Sequence, residues 1–355
     1  MQLFLILVVG VFCTNPLFAD DLLGLPSLSI PVTNRQTDDK IELGRILFND
    51  IRFSADNSIS CASCHHADKA FTDGLMVAKG INNQTGTRNA PTVINAAFYN
   101  TLFLDGRAKS LEDQALGPFV NSVEHGLKDY TKIINVVRSD THYLQMFKQA
   151  FNLSADKISI EHISKAIASF ERTLIAGNSP FDQYYFGRDH TKMSDSAARG
   201  LRLFRRKGNC ANCHEISWDS ALFMDNRFYN IGVGFNRIKP KINEIQLALD
   251  NGTKVEQLGL SALQNSELGQ FNVTHNIRDM GKFKTPTLRN ISLTAPYMHD
   301  GSMKTLEEVV EYYDKGGDPN RFIDAAIFPL HFSKQEKADL VEFLKALTSP
   351  QLLAK

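Results

Sequence analysis

The chain of 355 residues is poor in cysteine and tryptophan and has no excess of charge: five Cys, one Trp, 39 basic and 39 acidic side chains. Five cysteines are too few for a disulfide-stabilised scaffold of this size. A net charge of zero gives no electrostatic basis for binding nucleic acid or an anionic membrane surface. Beyond the N-terminus, no apolar run approaches the roughly 20 residues of a spanning helix, so we expect no membrane span in the mature chain.

The first residues are typical of a secretory signal peptide. An apolar stretch runs from Leu3 to Phe12, and cleavage after Ala19 satisfies the small-residue rule in part. Because this stretch is not preceded by Lys or Arg, an uncleaved anchor is the alternative. Removal of residues 1–19 would also remove Cys13. The sequence thus predicts an exported, periplasmic protein with four cysteines.

These four cysteines lie in two copies of the pattern Cys-x-x-Cys-His, at 61–65 and 210–214. Two cysteines three residues apart on a helical turn point to one side, where they can bond the two vinyl groups of one porphyrin. The following His can then bind the iron. The pattern predicts two covalent haem c groups, attached through Cys61, Cys64, Cys210 and Cys213, with His65 and His214 as iron ligands.

Three other uses of these cysteines are less favourable. Paired zinc ligands usually lie within a few tens of residues, whereas about 150 separate these motifs. A thioredoxin-like motif would accompany a βαβ pattern, which we do not find. A disulfide across three residues would be strained. Haem attachment is therefore the preferred interpretation, and it agrees with export.

A weak internal repeat precedes each motif. Residues 42–48 and 198–204 both read as a short amphipathic helix that leads into a haem-binding turn. Two tandem cytochrome c-like haem domains are the natural interpretation. We place them at residues 20–180 and 181–355.

The rest of the chain indicates an all-α fold with long loops. Apolar residues recur at three and four positions from Ile160 to Leu174, on one helix face. Capping boxes begin helices at Thr305 and Ser333. Segments rich in Gly, Asn and Pro predict long loops at Gly80–Pro91 and Ile231–Gly269. No alternating strand pattern exceeds a few residues.

Several further segments accompany the two haem patterns. They are Arg88-Asn89-Ala90-Pro91-Thr92, Asp105-Gly106-Arg107-Ala108, Gly117-Pro118 with Asn121-Ser122-Val123-Glu124, Thr285-Pro286-Thr287-Leu288-Arg289-Asn290, and Leu293-Thr294-Ala295-Pro296-Tyr297-Met298-His299-Asp300-Gly301. With them, the chain resembles the bacterial dihaem cytochrome c peroxidase and MauG superfamily over nearly the whole mature length. The resemblance implies two facing haem domains, one reacting with hydrogen peroxide and the other storing or relaying oxidising equivalents.

The resemblance also implies a Tyr ligand for the second haem. In the simple peroxidases a Met lies fourteen residues beyond the His of the Pro-Tyr-x-His segment; here that position is Tyr313, as in MauG-like members. Leu306, Val310 and Tyr313 share one helix face, whereas Tyr312 points about 100° away. Without the resemblance, Tyr313 is a packed aromatic as readily as a ligand, and Met298 and Met303 are equally reasonable. A phenolate would stabilise ferric and higher iron.

In the first haem domain, the resemblance implies an open iron site. The simple peroxidases carry a second His ligand after the first motif, but residues 67–84 contain no His. Glu124 matches the distal carboxylate that aids peroxide cleavage by moving a proton. Gln114 and Pro118 match positions in the same pocket. Taken without the resemblance, Glu124 is a solvated acidic residue.

Two further implications concern the space between the haems. Asn89, Thr294 and Pro296 match positions that hold a calcium ion, which prefers oxygen ligands; taken alone, they are loop residues. Many members have a Trp between the haems where this chain has Leu104. We expect charge to pass by another route, for which Phe103 and Tyr99 are candidates. The one Trp, Trp218, is expected to pack in the core.

We therefore expect an exported MauG-like enzyme that uses hydrogen peroxide to form high-valent iron and oxidises a Trp or Tyr of a partner protein. Some MauG-like members are associated with copper-handling partners and convert a Trp to kynurenine. The first alternative is a cytochrome c peroxidase that receives electrons from a small cytochrome or cupredoxin. The second is a dihaem electron carrier without catalysis, which the missing second His disfavours.

Overall fold

The computed structural model describes residues 22–353, and the signal-peptide prediction lies outside them. The fold is mostly helical. Its helices are α1 Asp38–Phe48, α2 Leu111–Gln114, α3 Gly117–Val120, α4 Thr131–Ser139, α5 Thr141–Phe151, α6 Ile160–Glu171, α7 Pro180–Tyr185, α8 Asp195–Arg205, α9 Ile242–Asp250, α10 Ala262–Glu267, α11 Phe271–Thr274, α12 Leu306–Asp314, α13 Lys334–Lys345 and α14 Pro350–Leu353. Two short strands, β1 Phe228–Tyr229 and β2 Phe283–Lys284, form an antiparallel pair.

Local signals placed the main helices well. The periodic segment forms α6, with Leu174 just beyond its end. The capping boxes predicted at Thr305 and Ser333 begin α12 and α13. The two repeated segments lie in α1 and α8. In each case polar caps and one apolar face agree, and this agreement specifies a helix.

Two large apolar clusters organise these helices. One packs α1 against α6 in the first half of the chain, together with α4 and α5. The other packs α8 against α13 in the second half, together with α12. A Cβ added at Gly44 would overlap the carbonyl of Ala166, and one at Gly200 would overlap that of Asp339. Each glycine therefore permits the closest approach of its helix pair.

The long-loop prediction for Ile231–Gly269 was wrong. This segment contains α9 and α10. Its apolar residues, among them Phe235, Ile242 and Ile245, are buried in a third cluster. Its five glycines lie in the connections between short helices, whereas several of its Asn residues lie within helices, so composition alone suggested a loop. The segment Gly80–Pro91 contains one short 3-10 turn, Ile81–Asn83, and no α-helix. Across the described residues, no helix is both long and apolar enough to cross a membrane.

Candidate active site

The first Cys-x-x-Cys-His segment forms one tight turn. Cys61–Ser63 is a 3-10 turn, and the amides of Cys64 and His65 both donate to the carbonyl of Cys61. The Nδ1 of His65 lies 3.0 Å from the carbonyl of Phe71. Because a carbonyl only accepts, Nδ1 carries the proton and Nε2 is left for a metal. Burial lowers the pKa of His65, which favours this neutral form.

The second segment repeats this arrangement. Cys210–Asn212 is again a 3-10 turn, and the Nδ1 of His214 donates to the carbonyl of Phe223 at 2.8 Å. Burial also lowers the pKa of His214. A Phe from the preceding helix approaches each imidazole with 6.4 Å between ring centroids: Phe48 for His65 and Phe204 for His214. Both imidazoles are thus held neutral, with Nε2 left to bind a metal ion.

The cysteines are free and largely uncharged in this fold. Burial raises the pKa of Cys64 and Cys213 to about 11, and that of Cys210 to about 12. A bound metal ion would deprotonate such thiols, so their raised pKa does not by itself exclude zinc. They remain available for covalent attachment of a porphyrin. Within residues 22–353 the two cysteine pairs do not converge on one metal position, so the zinc alternative is not supported.

The residues that do converge are Glu267, His299 and Asp300. Arg237 Nη1 contacts both carboxylates, Glu267 at 2.5 Å and Asp300 at 2.9 Å. His299 Nε2 lies 2.8 Å from Glu267. The Arg237 guanidinium already pairs with both carboxylates, so this cluster is stabilised without a metal ion.

A large apolar cavity of about 270 Å³ opens beside the second motif. Cys210, Cys213 and His214 line it on one side, and Tyr313 also lines it. Most of the wall is aliphatic or aromatic; it includes Phe204, Leu288, Ile291, Leu306, Val310, Leu340 and Leu344. Such a wall suits the macrocycle of a haem, and the paired cysteines suit its covalent attachment.

Tyr313 and Tyr312 differ in what their hydroxyls do. The Tyr312 hydroxyl donates to Ile231 O at 2.9 Å and accepts from the Asp318 amide at 3.1 Å. The Tyr313 ring packs with Leu306 and Val310 against the second core. No hydrogen bond to its hydroxyl occurs within residues 22–353, and burial raises its pKa. Met298 lines the same cavity, whereas Met303 packs on the core instead.

Glu124 lies close to the first motif, in the turn that follows α3. Its carboxylate accepts a hydrogen bond from Asn121 Nδ2 at 2.7 Å. Its charge contributes to raising the pKa of Cys61 and Cys64, which shows that it is near both. Burial raises the pKa of Glu124, and Arg107 partly offsets this. The carboxyl is therefore half-buried rather than solvated.

Gln114 and Pro118 lie on the two short helices before Glu124. Gln114 is the last residue of α2, and Pro118 lies in the first turn of α3. The carbonyl of Pro118 accepts the amide of His125, so Pro118 helps to fix the turn that carries Glu124. Sequence reasoning did not single out Asn121 or Arg107, although both lie within the segments it quoted.

The three predicted calcium ligands lie on the wall of the large cavity. The Asn89 side-chain amide donates to Leu75 O at 2.7 Å, so its oxygen is the atom that can bind a cation. The Thr294 hydroxyl donates to Ile291 O at 3.2 Å. The structure thus gathers Asn89, Thr294 and Pro296 into one region, where side-chain and backbone oxygens are the available donors.

Leu104 and Tyr99 also line this cavity. The Tyr99 hydroxyl accepts the amide of Thr287 at 2.7 Å, and burial raises the pKa of Tyr99 to about 12. The ammonium of Lys284 lies 3.7 Å from the centre of the Tyr99 ring. Sequence reasoning missed Lys284, because a lone lysine in a short strand carries no recognisable signal.

The expectation that Trp218 packs in the core was wrong. Its side chain is 90% exposed. It lies in a turn in which the Ser217 amide donates to Ser220 O, inside a loop tied at its base between Glu215 and Phe223. Phe223 at the base of the loop is buried, but the tip that carries Trp218 projects into solvent.

Comparison with known proteins agrees with this geometry. A family model described as di-haem cytochrome c peroxidase matches residues 38–190. Cytochrome-c peroxidase IdrP1 of Pseudomonas sp. (strain SCT) is 34% identical over 93% of this chain and 86% of its own length. MauG of Methylorubrum extorquens is 33% identical over 92% of this chain and 85% of its own.

A solved structure of a MauG-like protein associated with microbial copper homeostasis matches with a TM-score of 0.77. It is 32% identical, and the match covers 93% of this chain and 95% of that one. The two relatives and the solved structure each cover 92–93% of this chain, whereas the family model includes only the first cysteine motif. The chain therefore belongs to the di-haem cytochrome c peroxidase and MauG family, and it is a dihaem peroxidase-type oxidoreductase with haem c cofactors.

Proposed function

We propose that this chain is an exported MauG-like enzyme that uses hydrogen peroxide to oxidise a Trp or Tyr residue of a partner protein. The observation that carries the proposal is Tyr313, whose hydroxyl has no protein partner in the described structure and which lines the same cavity as His214. When bound, the haems supply peroxide reduction and the storage of oxidising equivalents. The residues of the chain attach the haems, bind the iron and move protons.

On the first haem, Cys61 and Cys64 attach the porphyrin and His65 binds the iron. Glu124 serves as the proton-transfer group for peroxide. This role is supported by the burial of Glu124 and by Asn121, which donates a hydrogen bond to one carboxylate oxygen and leaves the other to accept a proton. Gln114 and Pro118 shape the same pocket.

At the second motif, Cys210 and Cys213 would attach the porphyrin, and His214 and Tyr313 would bind the iron. Burial keeps the Tyr313 phenol protonated in the protein alone. A nearby metal charge favours the phenolate, as with other acidic ligands. A phenolate lowers the reduction potential, and this favours storage of oxidising equivalents.

The remaining assignments follow the same logic. Asn89, Thr294 and Pro296 hold one calcium ion, and Tyr99 is the favoured route between the haems because it lines the cavity where Leu104 replaces a Trp. The two haem domains are residues 20–180 and 181–355. Residues 1–19 direct export to the periplasm. Likeness to a MauG-like protein associated with microbial copper homeostasis supports a copper-handling partner. The reaction that we propose for such a partner is conversion of a Trp to kynurenine.

Low-temperature EPR of the oxidised protein tests the ligand assignment. We expect one high-spin ferric signal from the open His65 haem and one low-spin signal from the His214 haem. Tyr313→Phe should convert the low-spin signal to high spin, because one of its two ligands is lost. Tyr312→Phe is the matched control and should leave the spectrum unchanged. Two low-spin signals that Tyr313→Phe does not alter would overturn the assignment.

The substrate is tested separately by adding peroxide to the enzyme mixed with the protein encoded next to it. Mass spectrometry should show oxygen incorporated at a Trp or Tyr of that protein, and only with active enzyme. Cytochrome c peroxidase activity is the second candidate, because the relatives include proteins of that name. Peroxide turnover sustained by a reduced small cytochrome or cupredoxin, without modification of a partner, would establish it instead.

A further inference from the structure

Lys284 is a buried lysine on the wall of the second haem cavity. It ends strand β2, its residue is 6% exposed, and it lines the cavity together with His214 and Tyr313. Its backbone amide donates to Leu104 O at 2.8 Å. The strand thus fixes the side chain between the cavity and the Leu104 loop.

The ammonium of Lys284 has only uncharged partners. Nζ donates to Thr101 O at 2.6 Å and lies over the ring of Tyr99. No carboxylate among residues 22–353 lies within ion-pair distance of it. Burial lowers the pKa of Lys284 to about 7, because one carbonyl and one ring face replace water poorly. A buried cation normally has an anionic partner.

Neighbouring carboxylates are already engaged. Asp105 is shared by Arg88 at 3.0 Å and Arg107 at 2.8 Å. Glu267 and Asp300 lie beside His299, whose ring stacks on Phe283, and both are bound by Arg237. Of these cationic side chains, Lys284 is the one without a carboxylate partner among the described residues.

Thr285 supplies a second unsatisfied group beside Lys284. Its residue is 5% exposed and lines the same cavity, and its hydroxyl has no hydrogen-bond partner. A buried hydroxyl without a partner costs free energy, so such groups in native proteins usually face a ligand or water. Since both residues line this cavity, a carboxylate bound there can accept a charge-assisted hydrogen bond from the ammonium and a neutral one from the hydroxyl.

We propose that Lys284 and Thr285 bind a propionate of the haem attached through Cys210 and Cys213. A porphyrin of this class carries two propionate carboxylates, and the rest of the cavity wall is apolar. The assignment requires a haem at the second motif but no particular protein substrate. Because Lys284 neutralises the propionate, it stabilises the ferrous haem, which carries one more negative charge than the ferric haem.

The test is the reduction potential of the His214 haem in the holoprotein, measured by spectroelectrochemical titration without peroxide. Lys284→Met should shift the ferric–ferrous equilibrium toward ferric by a factor of about ten, equal to about 59 mV for one electron. Lys284→Arg keeps the charge and should largely retain the wild-type potential. Lys282→Met is the matched control, since Lys282 pairs with Asp279 instead and does not line the cavity.

A second measurement covers the case in which Lys284→Met fails to retain haem. Thr285→Val removes the hydroxyl at nearly constant volume, and resonance Raman should then show a shifted propionate bending band of the second haem. An unshifted band, or an unchanged potential in a haem-loaded Lys284→Met protein, would overturn the proposal. Both readouts are independent of catalysis, so a failure of the protein-substrate proposal would leave them unaffected.

Discussion

The two Cys-x-x-Cys-His halves of the molecule are nearly identical on the side of the cysteines. In each, a helix with a central glycine crosses a partner helix, a Phe from that helix approaches the imidazole, and the imidazole Nδ1 donates to the carbonyl of a Phe. Both carbonyls belong to residues with positive φ, Phe71 at 56° and Phe223 at 53°. Such backbone is costly for a non-glycine residue, so its repetition indicates that orienting the iron ligand outweighs the strain.

The halves differ in the other side chains near each motif and in the length of the loop that follows it. Near the first motif lies a half-buried carboxyl, Glu124, whereas the cavity beside the second contains Tyr313 and Lys284. Phe71 lies six residues after His65, whereas Phe223 lies nine residues after His214. The longer loop of the second half carries Trp218. Two similar cysteine turns are thus combined with two different environments, and our proposed function places peroxide chemistry at the first and charge storage at the second.

The largest expected effect comes from removing the Glu124 carboxyl, which distinguishes the first half from the second. Glu124→Gln should slow the reaction with peroxide by about 10²–10⁴-fold, the range typical for loss of a proton-transfer group. Stopped-flow absorbance of the His65 haem measures this. Glu161→Gln, at an exposed position of α6, should leave the rate unchanged. Equal rates in wild type and Glu124→Gln would remove Glu124 from the mechanism.

Glu124 should also make the rate of the reaction with peroxide depend on pH. The carboxylate form accepts the proton of peroxide, so the rate should fall as pH falls through the pKa of Glu124. Because burial raises this pKa, the fall begins at a higher pH than for a solvated Glu. In Glu124→Gln this acid limb should disappear.

A smaller effect tests the similarity between the halves. Gly44→Ala and Gly200→Ala should each lower the free energy of unfolding by about 1–3 kcal/mol, because a Cβ at either site overlaps a backbone carbonyl of the partner helix. Urea unfolding of the holoprotein measures both. Gly86→Ala, where a Cβ meets only an ordinary contact, is the control and should change stability little. A neutral effect at one site would show that the crossings are not equivalent.

The smallest effect concerns the longer loop of the second half. Trp218→Ser should change the free energy of unfolding by less than about 0.5 kcal/mol, because the side chain is almost fully exposed. Phe223→Ala, in the same loop but fully buried, should cost about 3–5 kcal/mol. A large loss in Trp218→Ser would restore the core-packing interpretation.

Local sequence signals predicted the helices that depend on local physics. Capping boxes at Thr305 and Ser333 and the periodic face of α6 each lie within one segment, so neighbouring residues suffice. The interval Ile231–Gly269 was predicted poorly, since its short helices are stabilised mainly by burial in a third cluster. Trp218 was misplaced for a related reason, because residue type does not determine exposure.

The sequence by itself determined the haem chemistry of this protein. Two cysteines and a histidine within five residues predict the attachment and the ligand through local geometry alone. Only the tertiary structure decided which side chains lie near each motif, since Glu124, Tyr313 and Lys284 reach their positions through packing between distant segments. The surplus charge of Lys284 in particular appears only when the partners of Asp105, Glu267 and Asp300 are known, because the cost of a buried charge depends on all the groups around it.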